Sequence, residues 1–154
     1  MSEIQFGGTS VGEVMNTDPP IVLSSDKLCK VARVLRRLSH VWVVPETGSR
    51  EVVGVVTEQE FLDMLSPMPY RDYATGVIRP KSLYHVEMST AEEFMSRPVI
   101  TCDPSMSVED ALELLTEKHI RHLAVVENGQ LVGELSPKGI IAAYYMDSCS
   151  MLDS

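Results

Sequence analysis

The stretch Val53-Gly54-Val55-Val56-Thr57-Glu58-Gln59-Glu60-Phe61 decides the fold, because its shape returns as Val132-Gly133-Glu134-Leu135-Ser136-Pro137-Lys138-Gly139-Ile140. Each reads as an apolar strand with one internal glycine, followed by a hydroxyl residue that opens a helix. Gly54 and Gly133 stand 79 residues apart, Met15 and Met95 stand 80 apart, and Val43-Val44 and Val125-Val126 stand 82 apart. Three landmarks at nearly one offset mark an internal duplication of one small unit.

Upstream of these stretches the two copies keep the same order. Ser10-x-x-Glu13 and Thr90-x-x-Glu93 have capping-box spacing and predict short helical turns ending near Met15 and Met95. Prolines (Pro19 and Pro20, then Pro98) end them, and the β-like runs Ile21-Val22-Leu23 and Val99-Ile100-Thr101 follow. Apolar residues at steps of three and four predict one helix through Leu28, Val31, Leu35 and Leu38, and another through Val108, Ala111, Leu112 and Leu115, the latter N-capped by Ser107. The first helix carries Lys30, Arg33, Arg36 and Arg37 outward; the second carries Glu109, Asp110, Glu113 and Glu117. Opposite charge on matching helices suits mutual or intersubunit contact as well as two solvated faces.

Two β runs come next in each copy. Val41–Val44 is expected to pair with Val52–Val56 across a Pro/Gly/Ser loop, and Leu123–Val126 with Leu131–Leu135 across Asn128-Gly129. A last helix carries Phe61, Leu62 and Leu65 in one copy and Ile140, Ile141, Tyr144 and Tyr145 in the other. Each copy therefore reads β-α-β-β-α, an α/β unit with too little core to stand alone, and packing two such sheets together is the remedy. The division is a tail over 1–8, one unit over 9–65, a linker or lid over 66–88, a second unit over 89–146 and a tail over 147–154. Within the linker, 76–78 or 82–86 offers an additional strand.

The chain has 154 residues, 44% of them hydrophobic and 23% charged, as in an ordinary globular protein. Its longest apolar run, Ile140 to Met146, falls far short of the roughly 18 residues of a membrane span. The first residues lack the basic and apolar regions of a signal peptide, and three irregularly spaced cysteines fit reduced thiols, so a cytoplasmic location without membrane attachment is expected. A net charge of −9 argues against nucleic acid as a partner while leaving room for a small anion held locally. No triad, Cys-x-x-Cys pair or metal-ligand spacing is visible, His119-x-x-His122 included, so neither an enzyme nor a metal site is expected.

The duplicated unit, with Met-x-x-x-Pro (Met15 to Pro19) ahead of its first strand, shortened to Met-x-x-Pro (Met95 to Pro98) in the second copy, and Gly-x-x-[Thr/Ser] near its end, resembles the cystathionine-β-synthase-type (CBS) domain, and two in tandem resemble a Bateman module. That resemblance implies two β-α-β-β-α units packed through their sheets about a pseudo-two-fold. It also implies a regulatory role without catalysis or a required cofactor, flat homodimers, and adenosine-containing ligands (AMP, ADP, ATP or S-adenosylmethionine) between the sheets. A regulated partner protein would read the bound state.

Carried over, the family's ligand positions fall in the first copy on Ile21 and Val22 for the base, His40 for phosphate, and Thr57 with Glu60 for ribose. In the second they fall on Val99, Ile100 and Thr101, then Arg121 and His122, then Ser136, with Lys138 as a neighbouring cation. Glu60 replaces the family's Asp, and Gly139 stands where the second carboxylate belongs. Both departures favour the alternative, a dimerisation or docking module that binds no nucleotide. Thr57-x-x-Glu60 is also a capping box, and Ser136-Pro137 is also an N-cap followed by proline at the first helical position.

Overall fold

In a computed structural model, the described residues are 6, 8–66, 70–71, 78–79 and 88–149. They form two three-stranded sheets and a two-stranded ribbon. Two compact units result: a continuous one, Pro20–Val99, and a split one, Met1–Pro19 with Ile100–Ser154.

In the continuous unit β1 (Ile21–Leu23) runs parallel to β2 (His40–Val44), and β2 runs antiparallel to β3 (Gly54–Thr57). Helix α2 (Leu28–Leu35) and helix α3 (Glu58–Leu65) flank this sheet in sequence. Alternation along the strands sends Val22, Val41, Val43 and Val56 into a core with Leu28 and Val31. Helix α4 (Ala91–Phe94), the lead-in of the second repeat, completes this core with Ala91 and Phe94.

The split unit repeats the pattern. Its sheet has β6 (Thr101–Cys102) parallel to β7 (Leu123–Glu127), which is antiparallel to β8 (Gln130–Leu135). The β7–β8 turn uses Asn128 and Gly129 at φ 52° and 76°, the left-handed pair that a tight hairpin requires. Cys102, Leu123, Val125 and Leu135 face α5 (Val108–Lys118) and α6 (Pro137–Tyr144). Here α1 (Val11–Val14), the lead-in of the first repeat, supplies Val11. The repeats thus exchange their lead-in helices, so the repeat boundaries read from sequence and the compact units do not coincide.

The exchange is hydrogen-bonded. Asn16 forms an antiparallel bridge to Glu134 in one unit, and Ser96 forms one to Val55 in the other. Each lead-in lies against a strand glycine. A Cβ on Gly54 would collide with the Met95 side chain, and one on Gly133 would come within 2.6 Å of Met15 Sδ and 2.8 Å of the Asn16 carbonyl oxygen. Close backbone approach explains both glycines.

Several sequence expectations need correction. The run Val99-Ile100-Thr101 is not the strand: the ladder starts at Thr101, with Thr101 opposite Ala124 and Cys102 opposite Val125. Matching the prolines of the two repeats misplaces this strand by two residues; the ladder makes Cys102 the counterpart of Val22, which lies opposite Val43. Helix α2 stops at Leu35, leaving Leu38 beyond it and exposed, and α5 turns Val108, Ala111 and Leu115 inward while Leu112 faces out. On α3 Phe61 packs against the core but Leu62 and Leu65 are exposed; on α6 Ile140 and Ala143 are buried while Ile141 and Tyr144 are exposed.

The N-terminal tail is anchored at Phe6. Its side chain is buried, its N–H donates to Glu109 Oε1 at 2.9 Å, and its ring meets Tyr144 edge-on. Between the repeats, β4 (Tyr70–Arg71) pairs antiparallel with β5 (Ile78–Arg79). Ile78 thus belongs to a strand, whereas 76–77 and 82–86 lie outside the described residues. Among the described residues no helix is long and apolar enough to cross a membrane.

Candidate functional site

In the continuous unit the candidate residues gather on the sheet face turned away from the helical core. Ile21 lies opposite Trp42, which lies opposite Val55, and His40 lies opposite Thr57. The intervening rows, Val22 with Val43 and Val41 with Val56, point into the core. Ile21, His40 and Thr57 therefore share one face. Val22 does not: its side chain is core, and only its backbone belongs to that strand's edge.

His40 is only 5% exposed. Its Nδ1 lies 3.3 Å from Ser39 Oγ, and its ring stands edge-to-face with Trp42 at a centroid distance of 5.6 Å. An imidazole packed against an indole has its orientation set before any ligand arrives.

Thr57 is the N-cap of α3 and Glu60 its third residue, and they form the capping box that their spacing predicts. Glu60 Oε2 accepts from the Thr57 N–H at 2.8 Å and from the Thr57 hydroxyl in a short contact. Glu60 Oε1 accepts from Ser96 Oγ at 2.5 Å. Partial burial alone raises the Glu60 pKa, but the hydrogen bonds from Ser96 and Thr57 together outweigh it and hold the carboxyl below its usual value. Glu60 therefore caps α3 and ties down the segment after α4 at once. Ser96 is a partner that sequence reasoning missed; its alignment with Asn16 in the repeat was the available signal.

In the split unit Thr101, Ala124 and Glu134 form one row. Leu123 lies opposite Leu135. Carried one residue further, this register sets His122 opposite Ser136, as His40 is set opposite Thr57. Arg121 and His122 both precede β7; Arg121 is exposed and His122 half-buried. Ser136 caps α6, accepting from the Gly139 N–H at 3.4 Å. Lys138 is exposed, Val99 is half-buried ahead of β6, and Ile100 packs against the core. A Cβ on Gly139 would sit 3.2 Å from the Val14 carbonyl oxygen, so the close pass of α1 accounts for glycine there.

Glu134 was not singled out by sequence reasoning. It is a carboxylate 5% exposed on the Thr101 face, accepting from Asn16 Nδ2 at 3.1 Å. A lone acid within the apolar run Leu131 to Leu135 was the signal for it. Cys102 is buried, and burial together with the Asp103 charge pushes its thiol up to about 11, leaving it protonated and unreactive at neutral pH. His119 ends α5 with φ 54°, a left-handed C-cap. Among the described residues no group of three or more His, Cys, Asp or Glu could hold a metal ion.

The repeat, its strand order and its hydroxyl-capped last helix match a known family. The CBS-domain profile matches residues 11–67 and 91–145. This chain belongs to the CBS-domain family. A CBS domain-containing protein of Bacillus subtilis is 25% identical over 125 residues, covering 81% of this chain and 78% of that one. An uncharacterised protein of Methanopyrus kandleri is 29% identical over 133 residues, covering 86% of this chain; the chain spans 61% of that relative's length.

Two solved structures share the tandem CBS fold. The protein CBSX2, solved in complex with AMP, has a TM-score of 0.72 at 20% identity, covering 90% of this chain and 98% of that one. The CBS domain pair of protein MJ0100, solved with 5′-methylthioadenosine and S-adenosyl-L-methionine, has a TM-score of 0.66 at 22% identity, covering 88% and 99%. The tandem CBS architecture expected from the repeat is the one found.

Proposed function

We propose that this CBS pair is a regulatory module that binds an adenosine-containing small molecule and relays its presence to a partner protein. The observation that carries the reading is the recurrence of one polar pair: His40 opposite Thr57 in the first repeat, and His122 in line with Ser136 in the second. CBS pairs of the same fold solved with AMP, 5′-methylthioadenosine and S-adenosyl-L-methionine support the ligand class. Ile21 and Thr101 offer strand edges for the base; Arg121 and Lys138 are exposed cations for phosphate. The ligand acts by preferring one conformation over another, and it is a signal rather than a required cofactor. The module works as a cytoplasmic homodimer. Exposed Leu62 and Leu65 on α3, Ile141 and Tyr144 on α6, and Tyr145 and Met146 in the π-helical turn that follows it (Tyr145–Cys149) are apolar surface that such a dimer would cover.

A thermal-shift panel with AMP, ADP, ATP, S-adenosylmethionine and GMP tests this. At 100 times its dissociation constant a ligand adds about 2.7 kcal/mol, several degrees in a domain of this size. One adenosine ligand should raise Tm and GMP should not, and Thr57→Ala or His122→Ala should reduce the rise. Glu60 and Gly139 favour a second reading, a docking module without a nucleotide: both Glu60 oxygens already accept hydrogen bonds, and position 139 has no carboxylate. A flat panel on ligand-free protein would select it.

A further inference from the structure

The two sheets present the same three-residue row with different chemistry. In the first repeat the row is Ile21, Trp42 and Val55; in the second it is Thr101, Ala124 and Glu134. Both rows lie on the face turned away from the helical cores, since the neighbouring rows send Val22 and Val43, or Cys102 and Val125, into those cores. The first row holds no side-chain hydrogen-bond acceptor, because an indole N–H only donates. The second replaces that indole with a methyl group and the valine with a carboxylate.

Glu134 is 5% exposed, and a buried carboxylate is tolerated where donors meet it. Asn16 provides one, its Nδ2 donating to Oε1 at 3.1 Å while the two backbones exchange N–H to carbonyl bonds at 2.8 and 3.0 Å. Main chain and side chain of Glu134 are therefore both held in place. The adjoining row sets His122 in line with Ser136, the pair read above as contacts for phosphate and ribose. Thr101, the exposed strand edge offered to the base, shares its row with Glu134. The acid thus stands in the row of the base and not in that of the sugar.

We propose that Glu134 reads the base: its carboxylate accepts a hydrogen bond from the 6-amino group of an adenine bound on the second repeat's sheet, and so selects 6-amino over 6-oxo purines. The assignment rests on the adenosine reading above and adds the residue and the repeat that make the choice. An ionised carboxylate accepts hydrogen bonds and donates none. A 6-oxo purine turns a carbonyl toward it, acceptor against acceptor, and that mismatch penalises the wrong base. The first repeat has no acceptor for an amino group in its row.

Equilibrium binding tests this with AMP, ADP, ATP and S-adenosylmethionine, each measured against its inosine counterpart, which has an oxo group at purine position 6. The wild type should favour the amino member of a pair about ten-fold or more, the scale of one hydrogen bond to a charged group. Glu134→Gln, whose amide both donates and accepts, should weaken the amino ligand, strengthen the oxo ligand and shrink the preference to about three-fold or less. Glu134→Val copies the first repeat, where Val55 fills this place, and should also remove the preference. The Tm of each ligand-free variant checks its fold. Equal wild-type affinity for both members, or a preference that survives both exchanges, would overturn this assignment and leave the regulatory reading standing. Failure of all four adenosine ligands to bind the ligand-free wild type would overturn both.

Discussion

In the continuous unit the segment after α4 is pinned where Ser96 exchanges backbone hydrogen bonds with Val55 at 2.8 and 3.1 Å; in the split unit Asn16 makes the same exchange with Glu134 at 2.8 and 3.0 Å. The backbone solution is identical, yet the side-chain anchor is not. Ser96 reaches a carboxylate on the helix, Glu60, whereas Asn16 reaches a carboxylate on the strand, Glu134. Placing the acid on the helix lets one residue cap α3 and hold the lead-in together. Placing it on the strand leaves position 139 without that task, and the backbone of Val14 passes close to a glycine there. Duplicated backbones impose matching main-chain contacts, while the side chains that reinforce them are free to migrate between elements.

The largest expected effect comes from the strand glycines. Gly133→Ala should cost about 1–3 kcal/mol in urea unfolding and Gly54→Ala distinctly less. The difference arises because the added methyl at 133 meets the Asn16 carbonyl as well as Met15, while at 54 its nearest contacts are all in the flexible Met95 side chain. Equal costs would show that backbone proximity does not separate the units.

Next is Glu60→Ala, which removes the acceptor for Thr57 and for Ser96. A loss of about 1–2 kcal/mol is expected, with Glu60→Gln intermediate. Removing Ser96 by Ser96→Ala in the Glu60→Ala background should cost little more, because the two form one network. Full additivity would break the assignment.

Acid provides a finer comparison. The Glu60 pKa is lowered on folding, so its contribution is complete above the ordinary carboxylate range and disappears as pH falls through the lower, folded value. The stability gap between the wild type and Glu60→Gln, present at pH 7, should therefore narrow on acidification below about pH 4.5. A gap that persists or widens would mean the ionised carboxylate is not the stabilising species.

Smallest is Ser136→Ala. The Ser136 cap is long, at 3.4 Å, and its helix retains proline at the first position, so about 0.5 kcal/mol is expected. A cost equal to that of Glu60→Ala would erase the contrast between the two caps.

The sequence by itself determined the duplication and the CBS family, through motifs that recur in one order at offsets near 80 residues, and the capping boxes at Ser10 and Thr57 and the Asn128-Gly129 hairpin, through spacing within a few residues; the Thr90–Glu93 spacing starts α4 without forming a capping box. It also carried Thr57 and His40 to one strand end, since a two-residue period fixes which side chains share a face. Tertiary structure alone decided that α1 and α4 change places between the repeats. A four-residue helix has nothing in its own sequence that selects a distant sheet; close packing at Gly54 and Gly133 does. It likewise decided that the second repeat's first strand begins at Thr101, with Cys102 in the core, because parallel pairing to β7 sets that register and the preceding proline does not. The acceptor roles of Glu60 and Glu134 depend on Ser96 and Asn16, 36 and 118 residues away, and only the folded chain brings those partners within hydrogen-bond reach.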